Sequence, residues 1–152
     1  MPNEQTLVLI KPEAVARRLT GRILGRFEDM ELRVIRANIS IPSRELATNH
    51  YPTSTEWLES VGSKALADCA ARDVDPVNAY GSSDPQEIGL KIKKGLVDYL
   101  TSGPVFSLVL EGNAAVQMVR NAVGATFPLN AAPGTIRADF STDTAETASS
   151  EG

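Results

Sequence analysis

The sequence predicts an α+β fold in which helices pack against an antiparallel sheet. Three short apolar segments, 6–11, 32–42 and 105–110, are rich in β-branched residues and have the length of strands. Elsewhere, apolar residues recur at the three- and four-residue spacing of amphipathic helices. The predicted order is β-α-β-α-α-α-β-α followed by irregular chain, in a single domain over residues 1–152.

The first third of the chain carries two predicted strands and one helix. The run "TLVLIK" (6–11) predicts the first strand, which ends at Pro12. A helix over 21–31 is predicted from the spacing of Ile23, Leu24, Phe27 and Met30. The segment 32–42 predicts a second strand, and the broken alternation of its apolar residues allows a bulge.

Capping patterns mark the helices of the middle third. Ser43 caps a short predicted helix that runs through Tyr51, and Thr53 with Glu56 forms a capping-box pattern for a longer one. Residues 72–85 are rich in turn formers and predict a loop. The apolar positions of the longer helix are Trp57, Leu58, Val61, Ala65 and Cys69.

The last third begins with another capped helix. Asp84, Pro85 and Glu87 occupy its cap, first and third positions. After the third strand, Asn113 is predicted to cap a final helix that Gly124 closes. The apolar stripe of the Asp84-capped helix is Ile88, Ile92, Leu96, Tyr99 and Leu100.

This order fits a ferredoxin-like β-α-β-β-α-β sandwich with extra helices in its middle, but with one strand fewer than the plan requires. A fourth strand would follow residue 140, where 141–152 is polar, lacks apolar alternation and predicts a flexible segment. The third strand is apolar on both faces except at Ser107. Either a partner subunit covers the second face, or the strand lies in a tightly packed centre.

Composition excludes several classes of protein. A net charge of −4 argues against a general nucleic-acid binder, so no specific nucleic-acid partner is expected. A single cysteine, Cys69, rules out an internal disulfide and fits a reducing compartment. No apolar run approaches the ~20 residues of a membrane span, and the N-terminus lacks a basic signal region. We expect a cytoplasmic protein with no membrane partner.

Cations and hydroxyls at the ends of elements are the candidate functional groups. The sequence has no P-loop, no nucleophile elbow and no Cys/His cluster with metal-ligand spacing. Its only histidine, His50, is expected to be a structural or capping side chain. The remaining candidates for phosphate binding also have an alternative interpretation as ordinary surface groups; they are Lys11, Arg120, Thr126, Thr135 and Arg137.

Six blocks of sequence, in order, resemble successive blocks of nucleoside diphosphate kinase. They cover roughly 6–140 apart from 52–92, and they are "TLVLIKPEAV", "GRILGRFE", "SRELATNHY", "LVDYLTSGPVFSLVLEG", "NAAVQMVRNAVGAT" and "AAPGTIRADF". The resemblance implies a ferredoxin-like αβ sandwich that assembles into homo-oligomers, either tetramers or hexamers. It also implies transfer of the γ-phosphate from a nucleoside triphosphate to a diphosphate through a phosphohistidine, with Mg²⁺ on the nucleotide phosphates.

The resemblance assigns phosphate-binding roles to five residues. Lys11 resembles the family lysine that contacts the transferred phosphate, and Tyr51 resembles the tyrosine that holds that region. Arg120 and Arg137 resemble the two arginines on the nucleotide phosphates. Thr126 resembles the phosphate-binding threonine.

The base end of the implied pocket departs from the family. Leu96 resembles the leucine beside the base, but counting back from Gly95 puts Ile92 where the family has a stacking phenylalanine. Because isoleucine cannot stack, a weaker contact with the base is expected there.

Four departures from the family pattern bear on activity. "KPEA" replaces K-P-D-G, Phe127 replaces an asparagine, and 52–92 resembles the helical insertion of a longer subgroup. The family's N-x-x-H-[GA]-S-D block, which carries the phosphorylated histidine, is not in the sequence, and His50 corresponds to a different family histidine. We therefore expect an inactive fragment of the enzyme. The alternatives are a non-catalytic nucleotide-binding module and a ferredoxin-like assembly or regulatory domain that binds no nucleotide.

Overall fold

A computed structural model describes residues 3–142 of the chain. The described residues form two compact units: a sheet unit, made of residues 3–41 and 103–142, and a helical unit, Pro42–Ser102. The elements in chain order are β1 (Asn3–Ile10), α1 (Pro12–Ala16), α2 (Thr20–Glu28), β2 (Arg33–Ser40), α3 (Arg44–His50), α4 (Thr55–Ala71), α5 (Pro76–Tyr80), α6 (Pro85–Leu100), β3 (Val105–Asn113), α7 (Ala115–Val123), a 3₁₀ turn (Pro128–Asn130) and α8 (Ile136–Phe140).

The sheet unit is built on an antiparallel sheet in which β3 is central. The strand order within the described residues is β1-β3-β2, with Ile10 opposite Phe106 and Val34 opposite Leu110. The register between β2 and β3 shifts between Val34 and Arg36, so Ile35 is an extra residue and the predicted bulge is confirmed. The prediction of an antiparallel sheet with helices is also confirmed.

One face of this sheet packs against α2 and α7. Its buried core consists of Ile10, Leu19, Ile23, Phe27, Leu32, Leu108, Leu110, Ala115, Val119 and Ile136. On the opposite face, Leu7 lies across from Val109 and is 56% exposed. That exposed leucine is on the face for which the sequence predicts a partner subunit, which stays a prediction.

Several helix starts were correctly predicted. The Ser43 hydroxyl accepts a hydrogen bond from the Leu46 amide at 3.1 Å, and the Asp84 carboxylate accepts one from the Glu87 amide at 3.0 Å. The predicted cap at Thr53 is wrong, because Ser54 caps α4 by accepting from the Trp57 amide at 3.3 Å. The reason is that the Thr53 hydroxyl instead accepts a hydrogen bond from Lys93 Nζ at 3.1 Å.

Four short structural features were missed or placed wrongly. The predicted loop 72–85 contains α5, whose cap Asp75 accepts from the Val77 amide at 2.9 Å. Helices α1 and α8 were also missed, since five residues are too few to show a helical period. Strand β3 continues to Asn113, so Ala114, with φ of 49°, occupies the cap position of α7 in place of the predicted Asn113.

Helices α4 and α6 of the helical unit approach each other at two glycines. A Cβ atom on Gly62 would lie 2.6 Å from the carbonyl carbon of Pro85 and closer still to the carbonyl oxygen. A Cβ atom on Gly89 would lie 2.7 Å from the carbonyl carbon of Leu58.

The apolar stripe predicted for α6 is only partly correct. Its buried residues are Ile88, Gly89, Lys93, Val97 and Leu100, whereas Ile92, Leu96 and Tyr99 are half-buried.

The predicted flexible segment 141–152 falls mainly on residues 143–152, which lie outside the described residues, as does any strand that would follow it. What the sheet does show is that, within 3–142, β1 pairs along one edge only, with β3.

Candidate functional site

Arg137 is a half-buried cation that is anchored by only one of its nitrogens. Its Nη1 donates hydrogen bonds to the carbonyl oxygens of Gly124 and Ala125, both at 3.1 Å. Between residues 3 and 142 its other two nitrogens make no hydrogen bond and no carboxylate forms an ion pair with it. Burial lowers the pKa of the Arg137 guanidinium. The site therefore holds a positive charge with hydrogen-bond donors to spare.

The loop after α7 and the start of α8 pack closely, which sets the position of Arg137. Gly124 ends α7 with φ of 87°, a conformation that favours glycine. A Cβ atom there would lie 2.6 Å from the Thr135 hydroxyl oxygen. Thr135 in turn caps α8 by accepting a hydrogen bond from the Ala138 amide at 3.4 Å. The helix that carries Arg137 is thus held against the end of α7.

Lys11 is the second cation of the site. It follows β1 directly and is the residue from which α1 begins, with Pro12 at the first helical position. Burial lowers the pKa of the Lys11 ammonium, and the positive charge of Arg137 lowers it further. The charge of Arg137 therefore acts on Lys11, and an anion bound near both cations would be stabilised by both.

Arg120 and Thr126 lie on the segment that anchors Arg137. Arg120 is in the last turn of α7, where its carbonyl accepts from the Gly124 amide at 3.0 Å. Its exposed side chain makes no hydrogen bond or ion pair within the described part of the chain. Thr126 is exposed and comes directly after Ala125. The sheet unit thus contributes four of the predicted phosphate-site residues.

The other three predicted residues belong to the helical unit. Tyr51 ends α3, and its ring makes an edge contact with that of His50 at 5.0 Å between centroids. Its hydroxyl is buried without a hydrogen-bond partner among the described residues, and burial raises its pKa. Ile92 and Leu96 lie one turn apart on α6 and are half-buried. Their roles at the base stay predictions.

The sequence interpretation missed two polar groups, one in each unit. Lys93 is only 7% exposed and donates to the carbonyl of Tyr51 at 3.2 Å and to Thr53. A partial signal was present, since Lys93 lies at helical spacing from the apolar residues Val97 and Leu100. Arg26 of α2 binds the segment of α8, and because its partner Asp139 is 113 residues away, no local pattern indicates it.

The described residues offer little for direct metal binding or membrane insertion. Across 3–142, no cluster of three or more histidine, cysteine, aspartate and glutamate side chains is arranged to hold a metal ion. None of the helices in that range combines the length and the apolar character needed to cross a membrane. What the site does offer is positive charge and hydrogen-bond donors, from Lys11 and Arg137.

Comparisons with known proteins show the family of the chain. The family model for nucleoside diphosphate kinase matches residues 4–58 and 86–149. A nucleoside diphosphate kinase from Pyrobaculum aerophilum is 46% identical over 152 residues, covering all of this chain and 83% of that protein. One from Archaeoglobus fulgidus is 36% identical over 140 residues, covering 92% of this chain and 71% of that protein.

Solved structures agree with the fold as well. The NDP kinase of P. aerophilum superposes with a TM-score of 0.94 at 44% identity, covering 99% of this chain and 82% of that one. A Borrelia burgdorferi nucleoside-diphosphate kinase, solved as a transition-state mimic with vanadate and ADP, superposes with a TM-score of 0.70 at 29% identity, covering 98% of this chain and 72% of that one. The predicted ferredoxin-like α+β fold is confirmed, and the chain belongs to the nucleoside diphosphate kinase family.

Proposed function

We propose that this chain binds the phosphates of nucleoside di- and triphosphates as part of a nucleoside diphosphate kinase. The observation that carries the proposal is the pair of neighbouring cations Lys11 and Arg137, of which Arg137 has donors with no acceptor in the described residues. Lysine offers a point charge and arginine a planar fork for phosphate oxygens. Arg120 and Thr126 would add further donors at the same end of α7.

The substrate in this proposal is the magnesium complex of the nucleotide. The described site supplies cations and hydroxyls, and the metal would be held by the nucleotide's own phosphate oxygens. Mg²⁺ would neutralise part of the phosphate charge while Lys11 and Arg137 hold the terminal phosphate. In the helical unit, Ile92 and Leu96 would give the base apolar contact without aromatic stacking, and Tyr51 would bind phosphate.

The reaction proposed for the family proceeds through a phosphohistidine, which splits one phosphoryl transfer into two in-line displacements. The only histidine of these 152 residues is His50, whose ring contacts Tyr51. We propose that His50 is not the nucleophile, so that these 152 residues alone bind nucleotide without accepting a phosphoryl group. The second candidate, a non-catalytic nucleotide-binding module, rests on the same observation.

Incubation of the 152-residue protein with γ-labelled ATP tests this proposal. We expect nucleotide binding by calorimetry but no acid-labile phosphoprotein, with a full-length relative as the positive control. A phosphoprotein that is lost in a His50→Ala variant would contradict the proposed role of His50. An absence of Mg-ADP binding would contradict the proposed function itself.

The lowered pKa of Lys11 predicts that Mg-ADP binding takes up protons at alkaline pH. Bound phosphate favours the charged ammonium, so binding raises the Lys11 pKa back towards its ordinary value of 10.5. Between the lowered and the raised pKa the complex holds more protons than the free protein, and affinity falls as pH rises through that window. The same shift affects stability without nucleotide. Between the lowered pKa of Lys11 in the folded protein and its ordinary value in the unfolded chain, the unfolded chain binds more protons. The free energy of unfolding therefore rises with pH over that range.

Titration calorimetry in two alkaline buffers of different ionisation enthalpy measures this uptake. We expect a buffer-dependent binding enthalpy for the natural sequence and a smaller dependence for Lys11→Gln. Equal buffer dependence in both proteins would show that Lys11 does not titrate on binding.

A further inference from the structure

We propose that Arg26, on α2, is a positioning residue for Arg137, because it fixes the short helix α8 in the orientation that presents Arg137 to phosphate. The inference rests on the proposed function in so far as phosphate is the ligand. Arg26 lies in the sheet unit with α8, and nothing in its own sequence context indicates such a role.

Arg26 closes a ring of hydrogen bonds around α8. Its Nη1 donates to the carbonyl of Gly134 at 2.8 Å, and its Nη2 donates to the Asp139 carboxylate. The same carboxylate accepts from the Gly134 amide at 3.0 Å. Gly134 precedes α8 and Asp139 lies within it, so one guanidinium bridges the residues on either side of Arg137. These bonds lower the pKa of the Asp139 carboxyl, which keeps it charged.

An aromatic contact adds to this bridge. The guanidinium carbon of Arg26 lies 5.3 Å from the centre of the Phe140 ring, and that of Arg22 lies 5.5 Å from it. Both are cation–π distances. Arg22 makes no side-chain hydrogen bond to another residue in the range 3–142, so Phe140 is shared by both arginines while Gly134 and Asp139 are held by Arg26 alone.

Helix α8 depends on such contacts because it has only five residues. Isolated helices shorter than about 12 residues are marginal in water. On one side α8 is held by Arg137 itself, through Gly124 and Ala125, and on the other by Arg26. Without Arg26, Arg137 would be the main polar anchor of its own helix, which would leave its guanidinium less firmly oriented towards a ligand.

The Arg26–Asp139 ion pair is partly exposed, so its loss should affect the orientation of Arg137 more than the overall stability of the protein. The side chains of Arg26 and Asp139 are 34% and 31% exposed, and partly exposed ion pairs contribute about 0–1 kcal/mol to stability. A small misplacement of a phosphate-binding group, by contrast, has a large effect on its interaction with the ligand. Loss of Arg26 should therefore change nucleotide affinity more than it changes the melting temperature.

Calorimetry with Mg-ADP on four variants tests the inference: Arg26→Ala, Arg137→Ala, the double variant, and Arg22→Ala as the matched control. We expect Arg26→Ala to raise the Kd by about 5- to 10-fold and Arg22→Ala to change it by less than about 2-fold. Because Arg26 acts through Arg137, the double variant should bind no more weakly than Arg137→Ala. Additive effects would overturn the inference, since they would show that Arg26 acts independently of Arg137.

Amide hydrogen exchange gives a second readout that needs no ligand. The Asp139 amide donates to the Thr135 carbonyl at 3.0 Å and the Ser141 amide to the Arg137 carbonyl at 3.1 Å. Both amides should exchange about tenfold faster in Arg26→Ala, whereas the exchange rate of the Gly124 amide at the end of α7 should stay the same. In Arg22→Ala, no amide should change its exchange rate. If the natural sequence binds no Mg-ADP, the proposed function fails and these exchange rates alone decide the inference. Unchanged exchange in Arg26→Ala would overturn it.

Discussion

Replacing Arg137 with alanine is expected to weaken Mg-ADP binding by about 10- to 100-fold. Hydrogen bonds to charged groups contribute about 1.5–3 kcal/mol each, and 1.4 kcal/mol corresponds to a factor of ten in affinity. Arg137 is the cation best prepared for this role, because its Nη1 is fixed on two backbone carbonyls and its remaining nitrogens are not engaged by residues 3–142. The measurement is titration calorimetry with Mg-ADP.

A surface arginine supplies the control for the change in net charge. Arg17 pairs with Glu13 one turn away on α1, and both side chains are about half exposed. Arg17→Ala removes one positive charge, as Arg137→Ala does, and should leave the Kd within about 2-fold. Equal Kd values for the two variants would show that net charge, and not the geometry at Arg137, governs binding. Circular dichroism would establish that both variants are folded.

Replacing Gly89 with alanine is expected to destabilise the helical unit by about 1–3 kcal/mol or more, the usual cost of overfilling a packed interior. The added methyl group would overlap the backbone carbonyl of Leu58 on α4, which cannot move aside as a flexible side chain would. Helices α4 and α6 would have to separate, which would expose Leu58 and its buried neighbours. Urea unfolding followed by circular dichroism measures the loss.

The same helix provides a matched control. Gly95 lies on an exposed part of α6, and a Cβ atom there meets nothing within 4 Å. Gly95→Ala should therefore stabilise the protein by about 0.5–1 kcal/mol, since alanine is the better helix former. If Gly89→Ala and Gly95→Ala changed the free energy of unfolding in the same direction, the close approach of α4 and α6 at Gly89 would be contradicted.

Local signals in the sequence predicted much of the fold. Asp84 and Ser43 cap their helices as predicted because each cap is formed with an amide only three residues away. Thr53 fails as a cap because its hydroxyl bonds to Lys93, 40 residues away, and no local pattern encodes that competition. Gly62 and Gly89 were invisible to a search for apolar periodicity, since a glycine signals close packing only when its neighbour is known.

In the candidate site, too, local features were predicted from the sequence and long-range contacts were not. Lys11 and Arg137 were selected from the sequence as cations at the ends of elements, and the structure brings their charges together. The short helix that carries Arg137 was not predicted, because its placement depends on Gly124, Thr135 and the distant Arg26. Residue type and local position were enough to nominate the cations, whereas the supports that orient them required the tertiary structure.

A crystal structure of the 152-residue protein grown with Mg-ADP would show whether Lys11 and Arg137 bind the nucleotide phosphates. We expect a terminal phosphate oxygen within hydrogen-bond distance of Lys11 Nζ and of an Arg137 nitrogen other than Nη1. A nucleotide whose phosphates contact neither residue would show that these cations do not form the phosphate site.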